Sequence, residues 1–388
     1  MAFIAQAALI ALILPLAATG PREGTLPPSI YSAPWSDEAE RVRDDQWHLR
    51  YLNVSRAQAI SQGDGIVVAV PDTGVDPHPD LINNLLQGID TVTDGSGNGQ
   101  NDLNSHGTSM AGLIAAHGRG GNAGALGIAP RSKILPIKAA AEDNFGEADD
   151  LATAIEYAIS SRAQVISISS GGASTPRLIR AVHAALAANI VVVAAVGNVP
   201  HGSIEYPANE EGVIAVGGVG RDGLHAAISV TGPKVDVVAP AVDIYSTSYD
   251  GKYSKGTGTS SATAIVAGAA ALIRSKYPYL PAREVAHRLT ATAVDKGAPG
   301  RDDEYGYGVI DLVAALTADV PPLGFESVSA PAGAGSTTTA GALPGDEGSG
   351  ATARGLATLG VILAAGVGWA VVARRRRRGD DPPPRISR

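Results

Sequence analysis

"GIVVAVPDTG", residues 65–74, is the stretch on which the fold turns. It is apolar without alternation from Ile66 to Val70, and then breaks into Pro71, Asp72 and Gly74. A strand with one wet face alternates polar and apolar residues, whereas a continuous run is dry on both faces. Runs of the same kind recur in "KILPIKA" (133–139), "AQVISIS" (163–169), "NIVVVAAV" (189–196) and "GVIAVGGV" (212–219). Between them, "DDLATAIEYAISS" (149–161) and "RLIRAVHAALAA" (177–188) carry apolar residues at helical spacing. Short buried strands alternating with helices predict an α/β fold, a doubly wound and mainly parallel sheet with helices on both faces. Such sheets work at the carboxyl ends of their strands, which makes Asp72 the first residue of interest.

The chain has 388 residues and only 4% aromatics, so its core must be built from Ala, Val, Ile and Leu. It lacks cysteine, which excludes thiol catalysis, Cys-ligated zinc and disulfides. The net charge is −8, and setting aside five arginines at 374–378 leaves −13 for the remainder. So acidic a body is a poor partner for nucleic acid.

Composition divides the chain into six segments. Residues 1–20, "MAFIAQAALIALILPLAATG", read as a signal peptide-like segment, although no Lys or Arg precedes the apolar run. Residues 21–45 form a short, irregular and mostly polar extension, and 46–317 hold the α/β domain. Residues 318–354, rich in Pro, Gly, Ala, Ser and Thr, read as a flexible tether. The uncharged run at 355–373 is long enough to cross a bilayer as a helix, and 374–388 form a basic tail. The positive-inside rule then places the C-terminus in the cytoplasm and the preceding domain outside, on a single-pass protein of the cell membrane.

Three further segments join Asp72. "SHGTSMAGLIAAHG" places His106 ahead of a helix rich in small residues. "VVVAAVGN" ends a strand with Asn198, and "GTGTSSATAIVAGAAALI" (256–273) puts Ser260 at the start of an alanine-rich helix. A serine hydroxyl needs an adjacent base to become a nucleophile, and His106 supplies one near neutral pH. Asp72 can orient that imidazole. Asn198 and the Ser260 N–H can hold a developing oxyanion. The other nearby carboxylates, Asp76, Asp80 and Asp102, fall in polar loops and are expected to be solvated. His78, His117 and His183 have adequate structural readings.

These motifs, "DTG", "HGT", "AAVGN" and "GTSSA" in Asp–His–Ser order, resemble the site motifs of subtilisin-like serine peptidases, the subtilase family. "GIAP" (127–130), "YPA" (206–208) and "VDVVAPAVDI" (235–244) match further framework segments. The resemblance implies a serine endopeptidase with catalytic Asp72, His106 and Ser260, acting on proteins or peptides. It also implies that Ser169, Ser170 and Gly171 pair with an extended substrate backbone. No cofactor is implied as required; family members often bind calcium, but no loop here specifies its ligands and no metal site is named. The signal-like segment, tether, single span and basic tail resemble mycosins, membrane-anchored proteases associated with type VII secretion, which adds a secretion complex as a partner.

Ser261 and Ala264 replace a methionine and a proline common in the family, and the absence of cysteine departs from many mycosins. Pro71 removes a backbone donor just before Asp72, so the fine geometry of that carboxylate is left open. Small residues at the inferred entrance, among them Ala194, Ala195 and Val196, point to modest apolar substrate side chains, whereas Glu205 points to a basic one. The competing class is an inactive subtilase-fold scaffold that only grips peptides, against which the intact triad argues. A sedolisin-type acid peptidase would need Glu and Asp in place of His106.

Overall fold

The continuous apolar runs form strands buried on both faces. They are β1 (Val67–Asp72), β2 (Ile89–Asp90), β3 (Lys133–Lys138), β4 (Val165–Ile168), β5 (Val191–Ala195), β6 (Ile214–Val219) and β7 (Val237–Pro240). All pair in parallel in the order β2-β3-β1-β4-β5-β6-β7. The computed structural model describes residues 35–92, 96–141, 146–199 and 202–324. The signal-like segment, residues 21–34, the tether beyond 324, the apolar run at 355–373 and the arginine tail lie outside the described residues. Among the described residues no helix is long and apolar enough to cross a membrane.

The helices are α1 (Trp35–Asp45), α2 (Trp47–Tyr51), α3 (Val54–Gln58), α4 (His106–Ala115), α5 (Ala148–Ser160), α6 (Pro176–Ala187), α7 (Thr259–Lys276), α8 (Ala282–Ala291) and α9 (Leu312–Thr317). Helices α5 and α6 pack together over one face of the sheet, while α4 and α7 pack together over the other. Every residue of α7 from 262 to 273 is buried, which explains its lack of a polar stripe. Alanines there let the helix lie close along β4 to β7. A hairpin of β8 (Ile244–Thr247) and β9 (Tyr253–Gly256) stands apart from the main sheet and packs on α4. Its contact is tight, since a β-carbon on Gly112 would lie 2.1 Å from the Thr247 hydroxyl.

The structure departs from the composition-based reading in two places. Residues 35–45, read as irregular, form α1, which buries Ala39 and Val42 in an otherwise mostly polar sequence. Arg43 Nε donates to the Gly124 carbonyl at 2.9 Å and pins this helix to the domain. Asp80 and Asp102, expected to be solvated, are both buried. Asp80 accepts from Arg119 Nε (2.7 Å), the Ala125 N–H (2.7 Å) and the Tyr253 hydroxyl (2.8 Å). It thereby ties β9 to the loop after β1, where an unpaired carboxylate would be costly. The geometry that Pro71 left open is regular: β1 continues through Asp72 in register with Lys138.

Two histidines are held neutral by burial. His48 in α2 is fully buried, neither ring nitrogen has a partner among the described residues, and burial pushes its pKa down to about 3. His78 accepts from the Asp80 N–H through Nδ1 and faces the Lys252 carbonyl through Nε2; burial, opposed by Asp80, pulls its pKa down to about 4. Both folded values lie below the ordinary imidazole value of about 6.5. Unfolded chains therefore bind protons that the folded state refuses, and stability falls as pH drops below about 6.5. By pH 5 the loss is roughly 2 kcal/mol for each group. Urea unfolding from pH 8 to pH 5 should show this decline, and His48→Leu should flatten it. An equal slope in the variant would contradict the assignment.

Candidate active site

The strand order β1-β4-β5 sets the carboxyl ends of three chain-distant strands side by side. The chain turns to opposite sides of β1 to form β3 and β4, so the crevice at this edge is the sheet's switch point. Asp72 ends β1, Ser169 follows β4, and Asn198 lies three residues beyond β5.

Helix α4 delivers His106 as its first residue, and its start is held by Asp102. That carboxylate accepts from the Asn104 N–H (3.0 Å), the Ser105 N–H (2.9 Å), and the N–H (2.9 Å) and hydroxyl (2.6 Å) of Thr108. Ser105 adopts φ +82°, a left-handed conformation that a non-glycine residue enters only under such constraint. Gly107 is required by close approach, because a β-carbon there would meet the Gly74 carbonyl at 2.0 Å. The Thr73 hydroxyl lies 2.9 Å from Asp102 and 3.3 Å from Asp72, and accepts from the Gly107 N–H at 3.0 Å. One buried network thus holds both the carboxylate and the histidine-bearing turn.

Within that network His106 Nδ1 lies 2.7 Å from Asp72 Oδ1. The Asp72 side chain is 4% exposed and that of His106 24%, so the carboxylate is dry while the ring still meets the crevice. Burial by itself would lower the His106 pKa. The Asp72 charge and hydrogen bond, with a further contribution from Asp102, outweigh it and raise the pKa above the ordinary value.

Helix α7 closes the site from the other side. The Thr259 N–H and hydroxyl donate to Asn198 Oδ1 at 2.9 and 3.2 Å, which fixes the amide and leaves Nδ2 as its donor group. The Ser260 hydroxyl is half-buried and donates to the Ser169 carbonyl at 3.1 Å rather than to His106. Hydrogen bonds between a nucleophile and its base commonly tighten only with substrate present. A cleft of about 640 Å³ runs past Asp72, Asn198 and Ser260 and along Ser169, Ser170 and Gly171. Among the described residues no group of three or more His, Asp or Glu side chains is arranged to hold a metal.

The structure therefore gathers Asp72, His106, Asn198, Ser260 and Ser169 to Gly171 at one sheet edge. Sequence reasoning missed Asp102, Thr73 and Thr259, which position the others. The one signal for Asp102 was its place four residues ahead of the histidine, in a polar turn entering a helix.

Comparison with known proteins gives the family. Residues 63–308 match the Subtilase family. Mycosin-1 of Mycobacterium tuberculosis is 32% identical over 415 residues, covering 92% of this chain and 91% of its own length. A thermostable alkaline protease of Halalkalibacterium halodurans is 36% identical over 268 residues, covering 68% of this chain and 71% of its own. The crystal structure of MycP1 from Mycobacterium smegmatis superposes with a TM-score of 0.65 at 30% identity, covering 71% of this chain and 85% of that one. Family match, mycosin likeness and the geometry at the sheet edge agree, and the chain belongs to the subtilase family as a mycosin-like serine endopeptidase.

Proposed function

We propose that the enzyme cleaves peptide bonds through Asp72, His106 and Ser260, while anchored at the outer face of the cell membrane. The observation that carries the chemistry is the 2.7 Å contact between a buried Asp72 carboxylate and His106 Nδ1, beside a half-buried serine at a helix start. In this mechanism His106 Nε2 takes the Ser260 proton as Oγ bonds to the substrate carbonyl carbon. The oxyanion accepts from Asn198 Nδ2 and the Ser260 N–H, aided by the positive end of α7. His106 then gives its proton to the leaving amine as the C–N bond breaks, forming the acyl-enzyme. Water attacks that ester with His106 again as base, and the proton returns to Ser260. Ser169, Ser170 and Gly171 hold the extended substrate backbone by strand addition.

The anchoring part of the reading rests on three supports. Mycosin-1 matches 92% of this chain, so the likeness reaches beyond the catalytic domain. A related MycP1 structure, 34% identical with a TM-score of 0.63, is described as an essential component of the type VII (ESX-1) secretion system. The uncharged run at 355–373 and the five arginines after it supply a span and a cytoplasmic stop. An exported catalytic domain held near the membrane suits cleavage of proteins handled by a secretion complex at that surface.

The raised His106 pKa has a consequence for rate. The base must be neutral, so kcat/KM should fall as pH drops through a value above about 6.5. Removing the Asp72 charge lowers that pKa; Asp72→Asn should shift the acid limb to lower pH and reduce kcat on the order of 10⁴-fold. A limb that stays in place would exclude His106 as the group titrating. Asn198→Ala should reduce kcat by about 10²–10³ with little change in KM. A loss confined to KM would make Asn198 a substrate-binding residue instead. Protease added to intact protoplasts should remove the catalytic domain and leave a small membrane-bound C-terminal fragment, whereas full protection of the domain would overturn the topology.

A further inference from the structure

Among the described residues, the walls of the cleft beside Ser260 are acidic and carry no counter-charge. Asp72, Glu147 and Glu205 line it, and no lysine or arginine does. Asp72 is committed to His106, whereas Glu205 is exposed. Among the described residues no cation pairs with the Glu205 carboxylate.

The position of Glu205 is set by backbone. The next residue, Tyr206, is buried, and its carbonyl accepts from the Gly172 N–H at 3.0 Å. That bond fastens the Glu205 loop to the segment following β4. A β-carbon built on Gly171 would lie 3.4 Å from Glu205 Cβ and 3.6 Å from its Oε2. The carboxylate therefore lies along a stretch of wall that carries no side chain of its own. The slot between 169–171 and 195–197 opens into the same cleft as Ser260 and Asn198, beside the place where a substrate carbonyl would be attacked. Ala195 and Gly197 keep that slot open on the far side.

We propose that Glu205 is a specificity-determining residue, selecting lysine or arginine at the substrate residue whose carbonyl is attacked. The proposal rests on Ser260 being the nucleophile, which fixes where that residue sits. In the free protein the carboxylate is hydrated, and an exposed ion pair is weak. A bound peptide covers the slot, displaces water from around the carboxylate and strengthens its attraction for a cation. The small residues nearby then serve as clearance for a long aliphatic stem rather than as a pocket for a short side chain.

The test uses matched fluorogenic peptides that differ only at the acyl-side residue: arginine, its uncharged isostere citrulline, or alanine. The wild-type protein should turn over the arginine peptide with a kcat/KM about 10-fold or more above the citrulline peptide. Raising the salt concentration should shrink that ratio. Glu205→Gln should bring the ratio close to one, and Glu205→Lys should push it below one. Because the ratio is internal to each protein, a change in folding yield does not mimic the effect. Equal use of arginine and citrulline by the wild type, a preference for alanine, or a ratio untouched by Glu205→Gln would overturn the proposal while leaving the peptidase reading standing. Failure to hydrolyse any of the three would overturn both.

Discussion

The site depends on where one buried helix begins. Thr259 and Ser260 open α7, and their bonds to Asn198 and Ser169 join the helix to the ends of β5 and β4. The helix reaches that edge because its buried length is built from alanine, glycine and short branched residues, which pack closely against the sheet. A larger side chain in this run would push the helix away from the strands. Its first turn, with the serine hydroxyl, would move with it. The stability of the core and the geometry of the chemistry therefore rest on the same contact.

On the other side of the crevice the constraint is electrostatic. Two carboxylates, Asp72 and Asp102, are buried within reach of the single hydroxyl of Thr73. Burying anions is costly unless hydrogen bonds replace lost water. Asp102 finds them in the first turn of α4, and Asp72 finds them in His106 and Thr73. Satisfying the carboxylates is what orients the imidazole. The resulting charge balance keeps His106 more basic than its burial alone would allow. Glu205, lying farther along the same cleft, is exposed and has no cationic partner among the described residues, which leaves its charge open to a substrate.

Much of this was legible in the sequence, for physical reasons that differ from place to place. Continuous runs such as 66–70 can be dry on both faces only in a covered parallel sheet, so β1 and β3 to β6 could be read directly. The strand-end positions of Asp72 and Asn198 follow from those runs, and the glycines and hydroxyls ahead of α7 mark Ser260. What was hidden depends on partners far along the chain. Asp80 looks like a loop residue until Tyr253 and Arg119 arrive from elsewhere. Helix α1 buries Ala39 and Val42 within a mostly polar stretch, too faint a pattern to announce a helix. Pro71 left the fine geometry of Asp72 open; β1 continues through that residue and the carboxylate reaches His106. The choice between small and basic substrate side chains could not be read without knowing that Glu205 lies against Gly171.

The central claim is that Ser260 is made nucleophilic by an imidazole held on Asp72. Labelling the purified protein with a fluorophosphonate probe, and locating the adduct by mass spectrometry, tests it most directly. The account predicts a single adduct on Ser260, and its loss by several orders of magnitude in rate when His106 is replaced by alanine. An adduct on another serine, or undiminished labelling in the His106→Ala protein, would contradict it.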